Sequence, residues 1–305
     1  MKEPLGLRGI VTVLNTPFTE DDRIDLGSLR TSVTMALEAG VAGFLVPAMA
    51  SEVGKLNQAE REGLVAAVLD TVRGQVPVIG GASAPTAEDR VRAARSLIAL
   101  GCDGILVSIP HENDGQYEAA VRAVAELGPG FLMLQDWDFT GYGLPVPLVV
   151  RLFEEIEAFL SLKIEVVPAG VKYTEVLEAT GGRLHIASGW GEMQMIEAFD
   201  RGVHALMPTG MHAIYTRIHA LYAAGDRAGA RDLFEHLLPV LAFSNQHLDI
   251  SIHFYKRLLH RQGVYASPRV REPILPFDAY HATIADELID RVMALTASLD
   301  TGKTP

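Results

Sequence analysis

Apolar residues in this chain come in short unbroken runs, and between the runs they recur every three or four positions. The first pattern predicts strands and the second amphipathic helices. Strands are expected at 9–15, 42–48, 76–80, 103–109, 130–136, 161–167, 184–188 and 203–208. Three of them open on a shared phrase. AGVAGFLVPA (39–48), LGCDGILVSI (100–109) and RGVHALMPTG (201–210) each pass from a helix end through a glycine into an apolar run. A glycine just past a helix supplies the left-handed cap that turns the chain back toward a sheet. These runs lack polar alternation, as expected where both faces of a sheet are covered. Helix starts are marked by Asn57 with Glu60 in NQAE and by Thr86 with Asp89 in TAED.

Eight β-α repeats over about 220 residues predict an α/β fold, a (β/α)8 TIM barrel, with an open doubly wound sheet as the alternative. From 223 onward the strands stop. AGDRAGARDLFEHLLPVLAF, DISIHFYKRLLHRQG and IADELIDRVMALTASL read as three helices, each apolar on one face. The expected organisation is a barrel over 1–222 and an appended helical extension over 223–305 packed on it. The extension is expected to serve packing and subunit contact, and the tail DTGKTP to fray.

Charge narrows the partners. The 305 residues carry 26 Lys and Arg against 38 Asp and Glu, a net charge of −12, which argues against nucleic-acid and anionic-membrane surfaces. Cys102 is the sole cysteine, so neither an intrachain disulfide nor a thiolate metal cluster can form. MKEPLGLRGI lacks the apolar centre of a signal peptide, and no apolar run approaches the ~18 residues of a membrane span. A soluble cytoplasmic protein is expected. The ten histidines include no HxxxH or HxH pair. His219, His236, His253 and His260 fit amphipathic helices, so no catalytic metal is expected. SGWGE and PTGMH, after strands seven and eight, could seat a phosphate, but tight turns need glycine too; a phosphorylated substrate is a secondary expectation. GGASAPTAED lacks the GK(S/T) of a P-loop and reads as a turn into a capped helix.

One residue breaks the strand pattern. FLSLKIEVV (159–167) places a lysine where the flanking residues read as a buried strand. Alternation sends Leu160, Leu162, Ile164 and Val166 toward the helices, and Ser161, Lys163, Glu165 and Val167 into the barrel. An ammonium there costs several kcal/mol unless it is paired, neutral or used. Glu165, with its Cα roughly 6.6 Å away on the same face, could pair with it structurally. Alternatively Lys163 is a Schiff-base amine whose neutral form is favoured by poor solvation. Glu165 favours the ammonium, and the residues alone leave both readings open. Lys172, in AGVKYTE, is the rival nucleophile, but it opens the next helix, where a solvated lysine needs no explanation.

Taken together, TPF (16–18), SE (51–52) followed by KL…ER (55–61), TG (140–141), LKIE (162–165) and RGVHALMPTG resemble the dihydrodipicolinate synthase / N-acetylneuraminate lyase family of class I aldolases over nearly the whole chain. The resemblance implies a barrel with C-terminal helices, a 2-keto acid substrate and a covalent Schiff base through Lys163 with no cofactor. It also implies a homo-oligomer, dimer or tetramer. The family's strand-five tyrosine precedes the lysine by 28 positions, which lands here on Gln135.

The family's threonine–tyrosine proton relay is missing. Met49 and Ala50 stand for its two threonines, Ser51 for the glycine that follows them, and His111 and Glu112 for its tyrosine pair. A carboxamide such as Gln135 orients a hydroxyl or water but carries no proton at neutral pH. QD, SE and KIE resemble more closely a subgroup of 2-keto-3-deoxy sugar acid dehydratases, such as the 2-keto-3-deoxyarabonate enzyme. That likeness implies Lys163 and Gln135 as catalytic residues, and Ala50, Ser51, Glu165 and Gly189 at the substrate. Ser51 and nearby N–H groups would bind its carboxylate, and Gly189 would let the backbone approach. Glu165, a water, or His111 with Glu112 would move protons, although the last two also read as a plain polar loop. A lyase is expected, by carbon–carbon cleavage or dehydration. The alternatives are a pyruvate aldolase like the synthase and a non-catalytic 2-keto acid binder. Trp137, Asp138, Trp190 and Met211 line the pocket in this reading, or simply fill its mouth.

Overall fold

Gly40, Gly101 and Gly202, the glycines of the recurring phrase, all take left-handed backbone, with φ of 81°, 99° and 85°. In each case the next N–H bonds back across the helix end: Val41 to Ala36, Cys102 to Leu97 and Val203 to Ala198. The chain then turns directly into the following strand, which any Cβ at those three positions would strain.

A computed structural model describes residues 2 and 4–301. Eight strands, β1 (Gly9–Val13), β2 (Gly43–Val46), β3 (Val78–Gly81), β4 (Gly104–Ser108), β5 (Leu132–Asp138), β6 (Phe159–Val166), β7 (His185–Ser188) and β8 (Ala205–Leu206), overlap all eight predicted runs. They pair in parallel and in sequence order, and β8 returns to β1 to close the barrel. The open sheet is thereby excluded. Helices α1 (Leu26–Glu38), α2 (Gln58–Val72), α3 (Ala87–Leu100), α4 (Asp114–Ala125), α5 (Val146–Glu155), α6 (Ala169–Ala179), α7 (Met195–Asp200) and α8 (His212–Ala223) follow the strands. Asn57 and Thr86 cap α2 and α3, each accepting from the third residue of its helix.

Two apolar layers hold the barrel. Val11, Leu45, Ile79, Leu106, Met133 and Ala187 pack inside it, while Ile10, Phe44, Ile105, Leu134, Leu162 and Ile186 pack beneath the helices. One expectation fails at β6. Leu160 was placed with the outward residues, yet it packs against the inner cluster. The register shifts there: Leu132 pairs with Phe159 and Met133 with Ser161, so Leu160 is an extra residue in β6. A bulge of this kind resets the alternation. From Ser161 to Val166 the predicted faces hold, with Leu162, Ile164 and Val166 outside, but Val167, expected inside, lies past the strand's end and is exposed.

After α8 come α9 (Arg227–Glu235), α10 (Leu238–Ser244), α11 (Leu248–Arg261) and α12 (Ala279–Thr301). The predicted single helix over 224–243 is two, because Pro239 sits in the first turn of α10 and lacks the N–H that a continuous helix needs. The end of the tail, from 302, lies outside the described residues. Helix α11 is fastened to the segment after β2. Lys256, fully buried, bonds the carboxylate of Glu52, which also accepts from Lys55 Nζ at 2.8 Å and from Arg271 N at 3.0 Å. Burial lowers the Lys256 ammonium to about 8 despite that carboxylate. No described helix is long and apolar enough to cross a membrane.

Candidate active site

Because β5 and β6 pair in parallel from Met133 onward, Gln135 and Lys163 are direct register partners. Both side chains point inward past the apolar floor of Val13, Leu45, Leu106 and Met207, into a cavity at the C-terminal ends of the strands. Barrel enzymes keep their reactive groups at that end. Lys163 is 6% exposed, and its Nζ lies 3.0 Å from Glu165 Oε1. Glu165 also accepts from Gln135 Nε2 at 2.5 Å and from Trp190 N at 2.8 Å. Two donors, Gln135 Nε2 and Trp190 N, therefore hold the carboxylate against the amine. The contact puts a carboxylate within hydrogen-bond reach of an amine at the end of the barrel where a carbonyl compound could bind.

Gly189 is indispensable to that arrangement. A Cβ there would sit 2.2 Å from Glu165 Oε1 and 2.7 Å from Lys163 Cε. The turn that follows is strained: Trp190, Gly191 and Glu192 all have φ between 54° and 66°. Left-handed backbone at non-glycine residues costs about 1–3 kcal/mol each and persists where the surroundings demand it. Here the turn aims Trp190 N at Glu165 and tucks Glu192 beneath the barrel's rim. Glu192 is 2% exposed, accepts from Ser188 Oγ at 2.6 Å and from Met207 N at 2.7 Å, and burial raises its carboxyl to about 8. In SGWGE the glycines stand out and this glutamate does not, because nothing local marks it as buried.

Other candidates fall elsewhere. Ala50 lines the cavity, its carbonyl held by Asn15 Nδ2 at 2.7 Å. Ser51 does not line it: its hydroxyl donates to Leu14 O at 2.5 Å and accepts from Ala48 N at 2.9 Å, which folds the loop on itself. The hydroxyl is thus spent on the loop rather than turned toward a substrate. His111 sits in an adjoining groove that shares Ser83, Gln135 and Trp137 with the main cavity, and its Nε2 bonds Asp114 at 3.0 Å. Glu112 is exposed and lines neither space. The segment that carries both leads into α4, whose first turn Asn113 caps by accepting from Gln116 N. Trp137 and Trp190 line the mouth, Asp138 accepts from Thr140 N and Gly141 N in its own loop, and Met211 is buried in the outer core.

Lys172 corrects a further expectation. It is not solvated but fully buried, 2.5 Å from Asp136 and bonded to the carbonyls of Tyr142 and Leu144. Burial lowers its ammonium and raises Asp136. It lies on the outer side of the sheet, sealed by the loop after β5. Among the described residues no group of three or more His, Cys, Asp or Glu side chains converges as metal ligands would.

Residues 6–291 match the dihydrodipicolinate synthetase family. The chain belongs to that family. It is accordingly a class I aldolase-type lyase. The 4-hydroxy-tetrahydrodipicolinate synthase of Salinibacter ruber is 25% identical over 284 residues, covering 91% of this chain and 93% of that protein. The L-2-keto-3-deoxyarabonate dehydratase of Azospirillum brasilense is 29% identical over 279 residues and 88% of each chain. The crystal structure of dihydrodipicolinate synthase from Rhodopseudomonas palustris superposes with a TM-score of 0.87 at 24% identity, covering 95% of this chain and 99% of that one, a likeness of fold.

Proposed function

We propose that Lys163 condenses with the keto carbon of a 2-keto-3-deoxy sugar acid and that the enzyme then removes water from the bound substrate. The observation that carries this reading is the Lys163–Glu165 contact of 3.0 Å in a cavity whose lining contains no tyrosine. A synthase-type relay passes protons through tyrosine, and the group opposite Lys163 here is the carboxamide of Gln135, which cannot carry one. Glu165 is the acid–base group within reach of the amine.

Glu165 takes the ammonium proton, and the neutral amine adds to the keto carbon, C2. That oxygen leaves as water, taking back the proton held by Glu165 together with one from the nitrogen, and the resulting iminium draws electrons from C3. Glu165 then accepts a C3 proton, and the C–H electrons form the enamine. As the iminium re-forms, a C3–C4 double bond appears and the C4 hydroxyl departs, taking the proton from Glu165 to leave as water. Hydrolysis of the iminium releases the dehydrated acid and restores Lys163. The kinship at 29% identity to a keto-deoxy sugar acid dehydratase supports the substrate half of this reading.

Borohydride reduction in the presence of a 2-keto-3-deoxy pentonate, followed by peptide mass spectrometry, is expected to place one ligand mass on Lys163. Turnover is expected to yield a product lighter by one water. A label on Lys172, or on no lysine, overturns the nucleophile. Pyruvate plus an aldehyde as the products overturns the dehydration.

A further inference from the structure

The cavity's outer wall is not built by the barrel. Asn245, His247 and Ser251, from the junction of α10 and α11, line it together with Ser83 and Thr209. Asn245 ends α10, and its side-chain amide lies directly against the strained turn after β7: a Cβ on Gly191 would sit 2.2 Å from its Nδ2. That Nδ2 is buried and has no hydrogen-bond partner. An unpaired buried donor is costly, about 1–3 kcal/mol, and the residue that carries it lines the same cavity as Lys163.

We infer that Asn245 reads a hydroxyl group on the substrate's tail, beyond the reacting carbons, and that the enzyme selects an uncharged polyol end over a carboxylate or phosphate end. This rests on the Lys163 reading above. Two features point to a hydroxyl. An amide offers a donor and an acceptor that a half-turn of the side chain exchanges, and a hydroxyl satisfies either. The residues lining the cavity include Lys163 as their one lysine and no arginine, and Lys163 is committed to Glu165 and to the keto carbon. A second anionic group would enter without a cationic partner and beside a carboxylate, which a desolvated charge tolerates poorly. The partial exposure of His247 places it at the rim, where its Nδ1 already accepts from Asp249 N at 3.1 Å.

The test compares the wild type with Asn245→Ala and the near-isosteric Asn245→Leu, using a 2-keto-3-deoxy pentonate, its terminally phosphorylated analogue and pyruvate. Both variants are expected to raise KM for the pentonate about tenfold or more, while half-saturation of borohydride trapping by pyruvate, which has no tail, stays within twofold. Asn245→Leu is expected to melt no lower than the wild type, since it removes an unpaired donor. The wild type is expected to disfavour the phosphorylated analogue at least tenfold. Unchanged KM for the pentonate in a folded Asn245→Leu protein, or equal use of the phosphorylated analogue, overturns the assignment. Failure of the wild type to trap any 2-keto acid on Lys163 is a different result and removes the parent reading instead.

Discussion

Gln135 and Lys163 occupy matched positions on neighbouring parallel strands, and both side chains end on the carboxylate of Glu165, from opposite oxygens. In the proposed mechanism the amide orients the proton-carrying group from one side while the amine faces it from the other. It does so without a titration of its own, so acid–base duty concentrates on a single carboxylate.

Substituting the amide tests that division. Gln135→Leu is expected to lower kcat about tenfold, the worth of one orienting hydrogen bond to a charged group. Gln135→Glu places two carboxyls within bonding distance, and like charges that close share a proton. Its kcat/KM profile is expected to keep an acid-side limb but displace it upward by about one pH unit relative to the wild type. Identical profiles for both proteins would remove Gln135 from the mechanism.

Gly189→Ala should separate activity from folding. Its Cβ would drive into Glu165 and Lys163, and misplacing reacting groups by about 1 Å costs on the order of 100-fold in rate. The expected outcome is that loss in kcat with borohydride trapping much slowed, while circular dichroism shows an intact barrel. Full activity would mean that the turn relaxes freely.

Glu192 makes stability pH-dependent in a stated direction. Its folded carboxyl titrates near 8, against an ordinary value of 4.5. The folded state therefore holds a proton that the unfolded chain has lost over that window, so stability is fully present below 4.5 and falls as pH rises to about 8. The slope is about 1.4 kcal/mol per pH unit for this group. Glu192→Gln keeps an uncharged acceptor for Met207 N, and urea unfolding of that variant between pH 5 and 8 should lose this slope. A wild-type slope that persists in the variant assigns it to other groups.

Lys172 offers a control for the nucleophile. Lys172→Met strands the buried carboxyl of Asp136 and is expected to cost about 3 kcal/mol, read as a lower urea midpoint. Borohydride labelling of Lys163 should survive unchanged at a temperature where the variant is folded. Loss of labelling in the folded protein would implicate the loop after β5 in the chemistry.

Strand spacing, the glycine-terminated helix ends and the inward aim of Lys163 and Glu165 were all legible in the chain, because they follow from periodicities that act over a few residues. The same local logic failed where a distant contact decided. Leu160 turns inward because the pairing with β5 admits one extra residue there, and Lys172 is buried because the loop after β5 folds over it.

What the sequence determined by itself, then, is the barrel and the face on which the amine emerges, since hydrophobic period and handed caps leave little choice. Which groups meet that amine was settled only by closure. Trp190 N, the buried Glu192 and Asn245 from the appended helices come from segments 25 to 82 positions away from Lys163 or Glu165 in the chain. No local pattern encodes their approach, because it depends on how a closed ring of strands brings its seventh repeat and its extension together at the mouth.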